Sequence, residues 1–247
     1  MPLLEEIEQK PDAEPEFDDG RLIPDVAVPF AEMKRVNASV VADITEFRRG
    51  KLQLAEMTIE AHLRDGSLDL RTLDFRTLKG QLLARGTLSP DGESGTASLQ
   101  AVARDFAPGL REANVDLSMT TDLDLDVKST GADLRTLAGN ANGVIYVDTR
   151  GGRLKIAEMI TAIYGNMLEE MLNTMNPLRE KDPYTDLECL VMPLTIDDGK
   201  LAGAPSIFVS TAKIRAVTQG SLDLKTEKIR VGVRTTPRKI VSFSAAE

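Results

Sequence analysis

The sequence predicts a mainly β protein with some α structure, in which a long antiparallel sheet is packed by one long amphipathic helix and one short helix. Three observations predict this fold class. Residues 115–127 alternate apolar and polar side chains without a break, as a half-buried strand does. Short alternating runs before them are separated by turn-forming Gly, Pro, Asn and Asp residues. A long helical period occurs in residues 154–175.

The 115–127 stretch is the longest alternating run in the chain. One side of it is apolar, and the other carries mostly carboxylates, including Asp122, Asp124 and Asp126. At about 3.3 Å per residue the run spans roughly 43 Å, far more than a strand of ordinary length. The three aspartates would lie about 6 to 7 Å apart and diverge, so we predict a solvated acidic face rather than a calcium site. Another part of the protein or a ligand has to cover the apolar face, so that its side chains are removed from water.

The first half of the chain reads as a linker followed by a meander. Residues 1–20 combine many Asp and Glu residues with Pro11 and Pro15, which predicts an acidic disordered linker. Residues 21–113 predict a β-meander, with Asp65-Gly66 as its strongest hairpin signal. Its alternating runs cover residues 36–44, 52–63, 68–75, 82–88 and 97–103.

Two of these runs change parity. In the first, a bulge is predicted near Ala55-Glu56, within one strand over 52–63. In the second, one parity slip falls within 68–75. A further turn is predicted at Pro90–Gly92. Residues 105–113 read as a break with room for one helical turn.

In residues 114–240 the sequence pattern changes from strands alone to strands with two helical segments. Residues 132–139 predict the short helix, with Asp133 as its N-cap, and a strand follows over 142–150. The long helix of 154–175 would be roughly 30 Å long. Strands are predicted over residues 187–196, 207–224 and 229–235, with an Asp197-Asp198-Gly199 turn after the first of them, and residues 241–247 form a short tail.

Composition excludes several classes of function. The chain carries 30 Lys and Arg against 39 Asp and Glu, a net charge of −9, which argues against a nucleic-acid partner. Cys189 is the only cysteine and His62 the only histidine, so the chain lacks the residues for a cysteine-based metal cluster or a two-histidine zinc site. Cys189 fits a small core residue and His62 a solvated strand residue. We therefore predict a protein that is not an enzyme, with no catalytic residue, metal or cofactor.

Several motifs of the second half resemble the AsmA family. Residues 131–143, which read Gly-Ala-Asp-Leu-Arg-Thr-Leu-Ala-Gly-Asn-Ala-Asn-Gly, are similar to that family's glycine, small helix and Asn-Gly pattern. Residues 220–227, Gly-Ser-Leu-Asp-Leu-Lys-Thr-Glu, resemble its closing motif, and the strand before Pro237-Arg238-Lys239 fits its last strand. The resemblance extends over residues 22–240 and is most specific in 120–237.

This resemblance implies both a shape and a location. AsmA-like proteins are built as long curved sheets whose apolar face forms a groove. They are periplasmic, anchored in the inner membrane, and linked to lipid transport and outer-membrane upkeep. The family's amino-terminal membrane helix is missing here, so residues 114–240 are expected to be an AsmA-like C-terminal region. That region would be tethered to the inner membrane in a longer protein.

We therefore expect a module that binds or transfers phospholipid or other acyl lipids for outer-membrane biogenesis or homeostasis. The alternative is an envelope scaffold with a closed core, which would regulate outer-membrane protein assembly through contacts with envelope proteins. A fully dry interior would identify the scaffold. The candidate groove residues are apolar positions of the long strand, the long helix and the last strand: Val115, Leu117, Met119, Leu123, Leu125, Val127, Ile160, Ile163, Met167, Met171, Ile229, Val231 and Val233.

Overall fold

The structure is a computed structural model. It describes residues 21, 23–45, 47–49, 52–54, 56–77, 79–107, 111–112, 115–116, 119–155, 184–212 and 214–238. The predicted linker at 1–20, the tail at 241–247 and residues 156–175 of the predicted long helix lie outside these residues. Leu154 and Lys155, where that helix was expected to begin, belong to a short strand.

The described part is mainly β, as the sequence predicts, with two short helices, α1 (Phe30–Met33) and α2 (Leu134–Gly139). The strands, in chain order, are β1 (Ala38–Ile44), β2 (Phe47–Arg49), β3 (Leu52–Leu54), β4 (Glu56–Arg64), β5 (Ser67–Arg76), β6 (Gln81–Asp91), β7 (Ser94–Phe106), β8 (Arg111–Glu112), β9 (Val115–Asp116), β10 (Thr120–Gly131), β11 (Asn142–Arg150), β12 (Arg153–Lys155), β13 (Tyr184–Asp197), β14 (Lys200–Thr211), β15 (Ile214–Asp223) and β16 (Lys228–Pro237).

Twelve of these strands form one antiparallel sheet. Its order is β1-β4-β5-β6-β7-β10-β11-β13-β14-β15-β16, and β12 pairs with β13 at one side of this path. The strands of this sheet follow one another in chain order, and the only described strands that intervene are β2–β3 between β1 and β4, β8–β9 between β7 and β10, and β12 between β11 and β13. The strand pairs β2–β3 and β8–β9 form two small separate ribbons.

Tight turns join the strands where the sequence predicts them. Asp65 and Gly66 have φ of 50° and 81°, and Asp198 and Gly199 have φ of 48° and 74°. Two successive positive φ values are the signature of the type I′ turn, whose twist suits a two-residue hairpin. The turn predicted at Pro90–Gly92 is displaced along the chain, since β6 continues through Asp91.

The parity slip predicted within residues 68–75 is confirmed, and it is a bulge, because the pairing of β5 with β6 shifts between Leu70 and Leu73. The expected single strand over 52–63 is wrong. Leu52–Leu54 pair with β2, whereas β4 begins at Glu56 and pairs with β1 and β5. The parity change in the sequence therefore marks the boundary between two strands rather than a bulge within one.

The prediction of one strand over residues 115–127 is also wrong. Val115 and Asp116 pair with β8, where Arg111 and Glu112 replace the expected break, and the long strand β10 begins only at Thr120. Its flanking partners explain this start, since β7 ends at Phe106 and β11 at Arg150. A strand extends only as far as neighbouring backbones can bond it.

The expected single strand over 207–224 is a hairpin instead. The Thr211 hydroxyl donates to the Ile214 carbonyl at 3.1 Å, and the Ile214 amide donates to the same hydroxyl at 3.0 Å. These two bonds reverse the chain between β14 and β15, because a Thr side chain can replace the backbone partner that a strand would supply.

The short helix α2 begins two residues later than predicted, and its N-cap is Asp133 as expected. The Asp133 carboxylate accepts a bond from the Thr136 amide at 2.7 Å, and the Thr136 hydroxyl accepts one from the Asp133 amide at 3.2 Å. This reciprocal capping box satisfies amides that a helix terminus leaves unpaired. Next to α2, Ser129 of β10 donates to the Leu137 carbonyl.

The segment before β1 crosses one end of the sheet, where the turns lie. The Ile23 amide donates to the Glu227 carboxylate at 3.2 Å, beside the β15–β16 turn. Farther along, the Val28 amide donates to the Ala132 carbonyl at 2.9 Å, and the buried Phe30 ring lies against Gly95 of β7. Residues 23–37 therefore form a strap that links hairpins from both halves of the sheet.

At the opposite end, Glu188 of β13 accepts hydrogen bonds from Arg238 and, at 2.7 Å, from the Ser210 hydroxyl. Both bonds favour the charged form, so they lower the pKa of Glu188, with Arg238 as the larger cause. Because its pKa is lower in the folded state, Glu188 stabilises the fold at pH values above the ordinary pKa of glutamate. That stability is lost as pH falls through the folded-state value.

We therefore expect Glu188→Gln to lower the melting temperature at pH 7 by only about 1–2 °C, because the pair is exposed to solvent. The difference from the wild type should shrink as the pH falls from 7 to 3, because protonation of Glu188 removes the charge that the variant lacks. Thermal unfolding followed by circular dichroism at both pH values checks this. Glu93→Gln is the matched control, since Glu93 is an exposed turn residue with no ion pair to another described residue. An equal pH-dependent effect in both variants would contradict the prediction.

Candidate functional site

The register of the sheet joins the apolar side chains of its strands into one apolar face. Directly paired residues share a face, so a row of paired residues can be followed from strand to strand. One such row crosses all eleven strands from β1 to β16 with only aliphatic residues and glycine. We call it the eleven-strand row, and it consists of Val40, Ala61, Leu70, Gly86, Leu99, Val127, Gly143, Ile196, Leu201, Leu222 and Ile229.

A second row runs parallel to it, nearer the opposite end of the sheet. It crosses eight strands, again without a polar side chain: Ile44, Met57, Phe75, Leu82, Ala103, Leu123, Val147 and Met192. At about 4.8 Å between neighbouring strands, eleven strands correspond to an apolar face roughly 48 Å wide.

The candidate groove residues fall into three groups. Leu123, Leu125 and Val127 lie on the apolar face of β10, and Ile229, Val231 and Val233 lie on the same face of β16. Val115 lies in β9, separate from the main sheet, and Met119 precedes β10 with its side chain close to Gly152. Residues that lie outside the described part are Leu117, Ile160, Ile163, Met167 and Met171.

Sequence reasoning did not select Val40 and Leu99, which the structure places on the apolar face with 52% and 45% of their surfaces exposed. The signal was present, because both belong to alternating runs. What the sequence did not show is that these runs share a face with β10 and β16, which depends on register.

Within the described residues, the helices lie at the turn end of this face. The strap and its helix α1 place Phe30 there, and α2 lies beside the last residues of β10. Elsewhere the exposure is uneven. Ala101 and Ala103 are 8% and 1% exposed, because each small side chain is flanked by larger ones on β6 or β10, whereas Ile229 at the edge is 55% exposed.

The opposite face of the sheet, called the polar face below, carries aspartates at its centre beside exposed apolar side chains, namely Leu83, Val102, Val144 and Tyr146. Asp122, Asp124 and Asp126 of β10 all lie there, as the alternation predicts. Arg104 donates to Asp124 at 2.6 Å, and this ion pair raises the pKa of the guanidinium. The Gln100 amide donates to Asp126 at 2.8 Å. The carboxylates are thus bonded to side chains of the sheet, and no group of metal-ligating side chains occurs among the described residues.

His62 lies on the polar face, where it joins a row of cross-strand hydrogen bonds. Its Nδ1 is 2.9 Å from the Ser39 hydroxyl, and its Nε2 is 3.0 Å from Glu60. Glu60 also accepts from Arg71 at 3.2 Å, and the bonds from His62 and then Arg71 lower the pKa of Glu60. The row links the edge strand β1 to β4, as cross-strand polar pairs do.

No helix in the described part of the chain is long and apolar enough to cross a bilayer. Comparisons of the chain with protein-family models, with curated proteins and with solved structures return no match. No known relative therefore points to a function, and a function has to be inferred from the apolar face. The resemblance to AsmA proteins stays a prediction from the motifs.

Proposed function

We propose that the chain is a non-enzymatic module that binds acyl lipids and shields their hydrocarbon chains along its apolar face. The eleven-strand row carries this proposal. It is apolar across the whole sheet and ends at exposed aliphatic side chains on both edge strands, Val40 of β1 and Ile229 of β16. Contiguous exposed apolar surface in a folded protein is typical of a binding surface.

The energetics suit transfer as well as binding. Burial of one methylene is worth about 0.8 kcal/mol, so a 16-carbon chain that leaves a bilayer needs on the order of 13 kcal/mol of replacement burial. A transfer protein has to approach this value without exceeding it, because tighter binding would stop release. A wall of Leu, Val, Ile and Ala provides apolar contact without fixed polar bonds, and side chains of this kind form the eleven-strand row.

The motifs that resemble AsmA proteins place this activity in a cell context. In that context the apolar face is a curved groove, and the chain works in the periplasm as part of a longer protein tethered to the inner membrane. The lipid is then a phospholipid, and the process is phospholipid transport for outer-membrane biogenesis or homeostasis. Polar positions between the apolar ones, such as Asp124 and Asp126, keep the other face solvated.

The second candidate is a scaffold with a closed core that regulates outer-membrane protein assembly through protein contacts. One observation favours it: Met57, Ala101 and Ala103 on the apolar face are at most 8% exposed. If the whole face were covered in this way, it would serve stability alone. The two candidates differ in whether the protein takes up a hydrocarbon chain.

Binding of a fluorescent fatty acid by the full chain tests the proposal. We expect saturable binding with a blue-shifted emission, and native mass spectrometry should detect lipid that co-purifies with the protein. Calorimetry of the same titration should show a negative heat-capacity change, since apolar surface becomes buried. A lipid-free protein that leaves the probe spectrum unchanged would overturn the transfer function and favour the scaffold.

A further inference from the structure

The sheet has two edge strands, β1 and β16, and they differ in charge. On their apolar sides they are alike, since Val40 of β1 and Ile229 of β16 are both about half exposed. Their polar sides are not alike. On β1 that side carries Ser39, Val41 and Asp43, whereas on β16 it carries Lys228, Arg230 and Arg234.

β16 is exposed along its length. Every residue from Lys228 to Thr236 is exposed, including Ile229, Val231 and Val233 at 55%, 42% and 44%. Lys228, Arg230 and Arg234 form no ion pair with another described residue. Their charges are therefore available to a partner, and the three aliphatic side chains lie next to them on the other side of the same strand.

The bases of β16 differ from Arg104 and Arg150 at the centre of the polar face, because those two arginines pair with aspartates. That centre, on β10 and β11, carries Asp122, Asp124, Asp126 and Asp148. The chain as a whole has a net charge of −9, so an anionic surface repels most orientations of the molecule. An approach with β16 foremost presents to that surface three cations that no described carboxylate pairs with.

We propose that β16 is the edge by which this module docks on an anionic phospholipid membrane, an inference that rests on the proposed lipid-binding function. Lys228, Arg230 and Arg234 contact the lipid headgroups, and Ile229, Val231 and Val233 enter the interface. Amphipathic segments with basic and aliphatic sides bind membrane surfaces in this way. The docked edge also opens onto the eleven-strand row, because Ile229 pairs with Leu222 and Leu222 with Leu201. A hydrocarbon chain that leaves the bilayer there stays in apolar contact.

Co-sedimentation of the full chain with vesicles tests this inference. Vesicles of phosphatidylcholine alone are compared with vesicles that also contain phosphatidylglycerol, at low and at physiological salt. We expect binding to the anionic vesicles that weakens as salt is added. The triple variant Lys228→Gln, Arg230→Gln, Arg234→Gln should bind them about a hundredfold more weakly, from the contribution of each basic residue near an anionic surface.

The matched control is Arg35→Gln, Arg64→Gln, Lys128→Gln. These three residues are also exposed and without an ion pair to another described residue, so this variant undergoes the same change in net charge. It should keep at least a third of the wild-type affinity. Equal losses in both triple variants, or equal binding to neutral and anionic vesicles, would overturn the inference.

Uptake of the soluble fatty-acid probe separates this inference from the proposed function. The β16 triple variant should take up the probe as the wild type does, because its three substitutions lie on the polar side of the strand. If the wild type binds vesicles but does not take up the probe, the proposed lipid shielding is overturned. The inference that β16 docks on a membrane would still hold. A wild-type dimer that the triple variant converts to a monomer would assign β16 to a second copy and overturn membrane docking. A wild-type monomer that does not bind anionic vesicles would also overturn membrane docking. The acidic residues 1–20 would then be the candidate partner of β16.

Discussion

Leu125→Asp is expected to weaken binding of the fatty-acid probe strongly. Leu125 lies in the middle of the apolar face, between Ala101 of β7 and Ile145 of β11. A carboxylate there has no cationic partner on the neighbouring strands, and a hydrocarbon chain laid against it would remove its water without a compensating bond. A loss of roughly 5- to 150-fold in affinity is expected from the desolvation of one polar group, about 1–3 kcal/mol. Fluorescence titration of the full chain measures it.

Val144→Asp is the matched control, because it introduces the same carboxylate on the polar face. Val144 is 50% exposed on β11, opposite Asp126. Probe binding should stay within twofold of the wild type, and circular dichroism should show both variants folded. Equal losses of binding in the two variants would indicate that the probe does not bind on the apolar face, and the proposed function would then lose its site.

The parts of the fold that local chemistry decides could be predicted from the sequence. Alternation identified most strands of the main sheet, and Asp-Gly pairs identified two type I′ turns, because few residues besides Asn, Asp and Gly accept positive φ. The N-cap at Asp133 was also correct, since a carboxylate before a short apolar run is a local signal.

The errors concern the ends of strands, which neighbours decide. The alternation of residues 115–127 continues through Val115 and Asp116, but these two residues pair with β8 instead of extending β10. Thr211 and Ile214 likewise read as one continuing strand, whereas the Thr211 hydroxyl closes a turn. In both places the side-chain pattern is compatible with either outcome, and the position of the partner backbone decides.

The candidate site could be predicted only in part for the same reason. Leu123, Leu125 and Val127 were assigned to one face by alternation alone, and the structure places them so. The eleven-strand row is a property of ten successive registers, and a one-residue slip in any of them would move a strand's apolar side chains to the other face. A single sequence does not specify those registers.

Gly199→Ala is expected to destabilise the protein by about 3 kcal/mol, which lowers the melting temperature by roughly 6–12 °C. Gly199 has φ of 74°, and a Cβ on it would lie 2.2 Å from the backbone oxygen of Gly139 at the end of α2. The Gly199 amide donates to the Ala141 carbonyl, and its own carbonyl accepts from Leu224, both at 2.9 Å. Because the clash is with backbone, relief requires movement of the turn, and the two bonds would be strained.

Gly92→Ala separates the effect of packing from that of backbone conformation. Gly92 has φ of 63°, but a Cβ there would meet nothing within 4 Å. Both substitutions restrict the unfolded chain equally and place alanine in the left-handed region, which costs roughly 1–2 kcal/mol. Thermal and urea unfolding should therefore show Gly92→Ala less destabilised than Gly199→Ala by at least about 1 kcal/mol. Equal losses in the two variants would mean that α2 and the β13–β14 turn do not pack closely, so that the turn end of the apolar face is less firmly closed than the strap and α2 indicate.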